Sequence, residues 1–153
     1  MALHPETSPT VRLVPAQPDD FEALVSLRID AMRESLERLG RFDPERARER
    51  FRQGFSAQHT RHIEADGRRV GFVVLKPLGD EWLLDHFYIR PGAQGQGIGS
   101  TVLRQILSEA DTCGTAVRVG ALKGSDSNRF YIRHGFRLVE SGEFDHYYLR
   151  QKP

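Results

Sequence analysis

Gln94-Gly95-Gln96-Gly97-Ile98-Gly99-Ser100 is the stretch of this chain best equipped for chemistry. Three glycines at alternate positions leave the backbone bare where Ile98, Val102, Leu103, Ile106, Leu107 and Ala110 begin to repeat at helical spacing. The first N–H groups of a helix have no partner inside it, and side-chain-free residues let a ligand reach them. With the positive end of the helix dipole, such a loop holds a phosphate or pyrophosphate; otherwise it is a connecting turn. Strand, loop and helix occur in the order that anion binding requires, because Trp82-Leu83-Leu84-Asp85-His86-Phe87-Tyr88-Ile89 precedes the loop and Arg90-Pro91-Gly92 closes that strand.

Two common phosphate sites are excluded. A Walker loop needs Gly-Lys-Ser/Thr, and Gly97-Ile98-Gly99-Ser100 has no lysine to neutralise a β- or γ-phosphate. A dinucleotide fold places a third glycine where Val102 stands and an acid near Arg118 and Val119. The ligand expected here is a pyrophosphate held by a different fold.

The elements that must position this loop are legible in order. Residues 1–10 are expected to be a frayed, disordered tail and residues 11–153 a single domain. Val11–Val14 alternates as a short strand. Pro18-Asp19-Asp20-Phe21-Glu22 starts a helix with Asp19 as its cap, and Val25, Ile29, Met32, Leu36 and Leu39 form its core stripe up to Gly40. A second helix is expected from Asp43-Pro44-Glu45 to about Gly54, its arginines 46, 48, 50 and 52 forming a solvated face or facing an acidic acceptor. His59 and His62 lack further ligand types nearby, so no metal site is expected.

Residues 61–65 and 69–75 form strands joined at Asp66-Gly67, a dipeptide suited to a hairpin, and Pro77-Leu78-Gly79-Asp80 turns the chain into the strand before the loop. Ala116–Leu122 is separated from that strand by a helix and is therefore parallel to it. The polar start of 123–136 caps a short helix that Gly135 ends, and 136–139 and 144–149 are two closing strands with Gly142 at their turn. The formal net charge of +1 gives no field for nucleic acid or an anionic membrane, and neither is an expected partner. Mean hydropathy is −0.50, and no apolar run approaches a membrane span or a signal peptide, so a cytoplasmic location is the default. The single cysteine, Cys113, cannot form an internal disulfide.

Two motifs in this element order resemble the GCN5-related N-acetyltransferase (GNAT) family. Gln94–Gly99 is similar to its Q/R-x-x-G-x-G/A loop, and Asn128–Phe136 to its N-x-x-x-x-Y/F-Y-x-x-x-G-F segment in a shortened register. The resemblance covers the C-terminal half closely and the N-terminal half in element order only. It implies an α/β (α+β) fold: a mixed, mostly antiparallel sheet of about six to seven strands, splayed between strands 4 and 5 and flanked by about four helices.

It implies acetyl-CoA as co-substrate, no metal, and direct transfer to a primary amine of a small molecule or protein in a ternary complex. Backbone groups of Phe87, Tyr88 and Ile89 would bind the pantetheine arm, those of Gln94, Gly95, Gln96, Gly97, Ile98, Gly99 and Ser100 the pyrophosphate, and Asn128 the arm from the other side, a role compatible with its capping a helix. Tyr131 matches the tyrosine near the cofactor sulfur, which would act as general acid. Asp85 stands where the family places an acidic or histidine side chain facing the acceptor, and is the expected base. His86 would point away on a regular strand, a bulge would exchange the two, and Glu34, Asp145 and His146 are weaker candidates. Gln96 departs from the basic residue common at its position. The rival functions are a non-catalytic acyl-CoA-binding module and an unrelated nucleotide-phosphate binder; a homodimer is possible.

Overall fold

The computed structural model describes residues 9–153; most of the expected tail lies outside the described residues. Seven strands form one sheet in the order β1-β2-β3-β4-β5-β7-β6. These are β1 (Val11–Pro15), β2 (Thr60–Ala65), β3 (Arg68–Leu78), β4 (Glu81–Ile89), β5 (Val117–Leu122), β6 (Arg137–Ser141) and β7 (Asp145–Arg150). Helices α1 (Phe21–Arg38) and α2 (Pro44–Gly54) pack on one face, and α3 (Ile98–Cys113) and α4 (Ser127–Arg133) on the other. No described helix is long and apolar enough to cross a membrane.

The sheet is antiparallel everywhere except between β4 and β5. That parallel pairing covers only Trp82–Leu84 against Val117–Val119. Beyond Leu84 the two strands part: β4 stays paired with β3 to Ile89, and β5 with β7 to Leu122. The sheet is thus two half-sheets joined at one end and open at the other.

Helix α3 bridges the opening. All six apolar residues of its stripe are buried, as 3.6-residue periodicity predicts for a helix laid on a sheet. Bidentate pairs fix its far end to both halves: Arg61 of β2 donates to Glu109 at 3.1 and 3.3 Å, and Arg150 of β7 donates to Asp111 at 2.7 and 3.1 Å. Gly114, with φ 66°, ends the helix in the left-handed conformation that glycine favours.

The hairpin turn matches its dipeptide, since Asp66 (φ 50°) and Gly67 (φ 81°) are both left-handed. Strand β3 runs further than expected, to Leu78, so that only Gly79 and Asp80 make the next turn. Pro77 is tolerated inside it because β2 pairs with β3 only as far as Val74, leaving that edge with no ladder to break.

At the start of α1 the N-cap position is Asp20, not Asp19, and its side chain caps no N–H of α1 but closes the short turn Pro18–Asp20 before it. Its carboxylate accepts from the Gln17 N–H at 2.8 Å and lies 2.9 Å from His62 Nε2, and these contacts hold its pKa below the usual carboxylate value. His62 therefore ties β2 to α1. Leu39, expected in the core stripe, is 44% exposed because α1 ends at Arg38, and Met32 and Leu36 line a cleft instead.

Candidate active site

A cleft of about 1520 Å³ runs through the opening between β4 and β5. Its walls are β4, the glycine loop, the end of β5, α4, the α1–α2 arm and the β6–β7 turn. One end lies at the loop; the other lies between α1–α2 and β6–β7, where the Arg41 guanidinium sits 3.5 Å from the centroid of the Phe144 ring and bridges the two walls.

At the loop end, Gly95 (φ 81°) and Gly97 (φ 79°) adopt conformations that side chains disfavour. Thr101 donates to the Gly97 carbonyl through both N–H and hydroxyl at 3.1 Å, starting α3. The N–H groups of Gly95 through Ser100 have no hydrogen-bond partner among the described residues. Six open donors at a helix N-terminus fit the pyrophosphate of a coenzyme A thioester. Gln94 acts otherwise: its N–H donates to the Pro91 carbonyl and its Nε2 to the Ile89 carbonyl at 2.8 Å, so it braces strand to loop. Gln96 lies outside the main cleft, against a 250 Å³ depression shared with Thr101 and Arg104.

Along the middle of the cleft, residues 85–89 of β4 have no partner strand on the β5 side. Phe87, Tyr88 and Ile89 line this edge, and the Phe87 ring meets Phe130 of α4 at 6.0 Å. Tyr131 also lines the cleft, is 5% exposed, and packs between Phe130, Phe136 and Tyr148. Burial, with a smaller contribution from Tyr88, raises its pKa, so the phenol stays protonated. Its hydroxyl has no hydrogen-bond partner among the described residues and is free to donate into the cleft.

Asn128 does not reach the cleft. Its Nδ2 donates to the carbonyls of Leu122 and Ser125, each at 2.9 Å, and its Oδ1 accepts from the Tyr148 hydroxyl at 2.7 Å. With both amide ends engaged, it anchors the end of β5 to the start of α4 and so positions Tyr131. The expected polar cap is not made, since the Asp126 side chain accepts from no N–H of α4 and Asn128 serves as a brace, not a cap.

At the acceptor end, Val74 pairs with His86 but Leu75 pairs with Leu84, which makes Asp85 an extra residue in β4. Leu84 and Phe87 both pack toward α3, so Asp85 and His86 both turn toward α1–α2. The bulge therefore does not exchange the two residues; it puts them side by side. Asp85 Oδ2 lies 3.2 Å from Lys76 Nζ and 3.7 Å from His86 Nε2. His86 Nδ1 is 3.3 Å from the Tyr88 hydroxyl, and its ring meets Phe51 at 5.0 Å. Burial pushes the His86 pKa down to about 4, helped by Arg28 and Lys76 and opposed by Asp85, so the imidazole is neutral at physiological pH. Among the described residues, no group of three or more His, Cys, Asp or Glu side chains is placed to hold a metal.

Sequence reading missed Arg28, and for the α2 arginines it left open whether they are solvated or face an acidic acceptor. Arg28 of α1 is 9% exposed, donates through Nη1 to the Ala47 carbonyl at 3.1 Å, and leaves Nε buried without a partner. An unsatisfied buried donor costs about 1–3 kcal/mol. The arginines of α2 divide by face: Arg48 pairs with Glu22 and Arg52 with Glu49, whereas Arg46 and Arg50 line the cleft. Their spacing of four was the available signal, since residues four apart share a helix face.

Comparison with known proteins identifies the family and the fold. A family model described as "Acetyltransferase (GNAT) domain" matches residues 57–138, more than half of the chain. The chain belongs to this GNAT acetyltransferase family. A search of the curated proteins finds no match. Among solved structures, PaiA N-acetyltransferase from Thermoplasma acidophilum, in complex with coenzyme A, is 17% identical with TM-score 0.75, over 93% of this chain and 99% of that one. An acetyltransferase from Thermus thermophilus is 20% identical with TM-score 0.73, over 94% and 97%. The ribosomal-protein-S18-alanine N-acetyltransferase from Escherichia coli is 13% identical with TM-score 0.68, over 92% and 91%. At these identities the likeness is one of fold.

Proposed function

We propose that the protein transfers an acetyl group from acetyl-CoA to a primary amine by direct attack in a ternary complex. The observation that carries this reading is the run of open amide donors from Gly95 to Ser100, at one end of a cleft whose midpoint holds a buried, protonated Tyr131. Acetyl-CoA supplies an activated acyl group and a thiolate leaving group. The loop amides hold its pyrophosphate, and the unpaired edge of β4 at Phe87–Ile89 aligns its arm along the split. Tyr131 donates its phenolic hydrogen toward the departing sulfur.

The amine arrives mostly as ammonium, with a pKa of about 10.4 for a lysine-type group, and must lose a proton before attack. Asp85, with neutral His86 beside it, accepts that proton directly or through water. Asp85→Asn is expected to lower kcat about tenfold, because His86 remains in place as a second acceptor, and to alter the acid limb of the kcat/KM profile. An unchanged pH profile in that variant would remove Asp85 from the proton path.

The reading is tested by calorimetric titration with acetyl-CoA and, separately, with ATP, followed by a thiol-release assay over a panel of amines. Saturable acetyl-CoA binding without ATP binding, and amine-dependent release of free thiol, are the expected results. Binding without release from any amine would make the protein a binder only.

A further inference from the structure

The acceptor end of the cleft has opposite walls of opposite charge. From α1, α2 and their connection it is lined by Arg28, Arg41, Arg46 and Arg50, with Asp43 the one acid, and the Asp43 side chain already accepts from the Arg46 N–H. None of these four arginines joins an ion pair among the described residues, although Arg48 and Arg52 on the outer face of α2 do. Across the cleft stand Glu140 and Asp145 of the β6–β7 hairpin, with Asp85 on the floor.

Arg28 is the deepest of the positive groups. A guanidinium more than nine-tenths buried ordinarily has a carboxylate partner, because removing a charge from water is costly unless it is paired. Here the protein supplies one carbonyl, that of Ala47, to Nη1. Nε is closed off from the cleft as well as unpartnered, so what Arg28 can offer a carboxylate in the cleft it lines is the charged Nη end of its guanidinium. The Tyr88 ring, with its centroid 6.0 Å from Arg28 Cζ, fixes the guanidinium beside the His86–Asp85 pair.

We infer that the acceptor is a small amine that also carries a carboxylate, and that Arg28 binds this carboxylate while the amine faces Asp85 and His86. The inference rests on the acyltransferase reading and narrows its substrate class. The arginine wall favours an acceptor whose second charge is negative; a second ammonium would have to face Glu140 and Asp145 instead. Arg46 and Arg50, nearer to solvent, steer the anion inward.

The test is a binding measurement that does not depend on turnover. Coenzyme A is titrated first, and failure to bind it would remove the acyltransferase reading itself. On the CoA-saturated protein, the N-acetyl derivatives of glycine, alanine, β-alanine and phenylalanine are then each titrated against the corresponding carboxamide. At least one carboxylate is expected to bind about tenfold or more tightly than its amide. Arg28→Met should abolish that difference with CoA affinity unchanged, and Arg28→Lys, which keeps the charge but loses the guanidinium, should retain part of it. Equal affinities within every pair, no binding of any carboxylate up to about 10 mM, or the same preference in Arg28→Met, would each overturn the assignment. The comparison of acid with amide in the wild-type protein stands even if a variant at this buried position does not fold.

Discussion

Tyr131→Phe is expected to lower kcat by about 10²- to 10⁴-fold, the range that a positioned proton donor contributes, while leaving acetyl-CoA affinity and thermal stability nearly unchanged. The separation follows from the surroundings of the hydroxyl. Its ring packs against Phe130, Phe136 and Tyr148, and phenylalanine keeps every one of those contacts. The hydroxyl itself has no described partner, so its removal leaves no buried group unsatisfied. What disappears is a donor that burial keeps protonated at any working pH. The check is single-turnover rate and calorimetric Kd measured on both proteins. A turnover equal to that of the wild type would eliminate Tyr131 as the acid. A loss of turnover matched by an equal loss of CoA affinity would make it part of the cofactor wall. Asn128→Ala should produce a milder version with a different signature: α4 loses its anchor to Leu122, so stability falls together with turnover.

What was readable in the sequence was what local periodicity and backbone chemistry determine. The α3 stripe, the Asp66-Gly67 hairpin and the glycine loop all depend on residues within a few positions of each other, and the structure has each where the pattern puts it. The GNAT motifs brought with them the split between strands 4 and 5, which no periodicity specifies. Features that depend on a partner strand or helix were not legible. The bulge at Asp85 exists only relative to β3, where Leu75 pairs with Leu84 and skips a residue. Without that pairing, alternation sends Asp85 and His86 to opposite faces. Asn128 likewise showed a motif position but not its partners, which come from β5 and β7. Arg28 was masked by its type, because an arginine on an amphipathic helix is normally solvated, and its burial comes from α2 closing over it.

The same bulge sets an acid limit on the fold. His86 sits against Phe51, Phe72 and Tyr88, and the charged groups facing it are Asp85 beside it, Lys76 of β3 and Arg28 of α1. Its pKa falls from 6.5 to about 4 on folding. Below pH 6.5 the unfolded chain therefore takes up a proton that the folded protein refuses, and stability is lost as the pH falls from about 6.5 toward about 4. The shift corresponds to a loss of up to about 3 kcal/mol over that window. His86→Phe fits the aromatic cluster and carries no titrating group, so denaturant midpoints of the variant should stay flat between pH 6.5 and 4.5 while those of the wild type decline. Asp85→Asn removes the one neighbour that favours the imidazolium, and should extend the decline to lower pH than in the wild type. The carboxylates of Asp20 and Asp111, both with lowered pKa, lose their contribution as the pH falls from the ordinary carboxylate value of 3.8 through their lowered ones, so most of the His86 window lies above theirs. Identical acid profiles for wild type and His86→Phe above pH 4.5 would mean that folding leaves the His86 pKa near 6.5. An imidazole of that pKa is mostly neutral at pH 7 and suits proton abstraction there better than a carboxylate does, so the acceptor's proton would pass to His86 and not to Asp85.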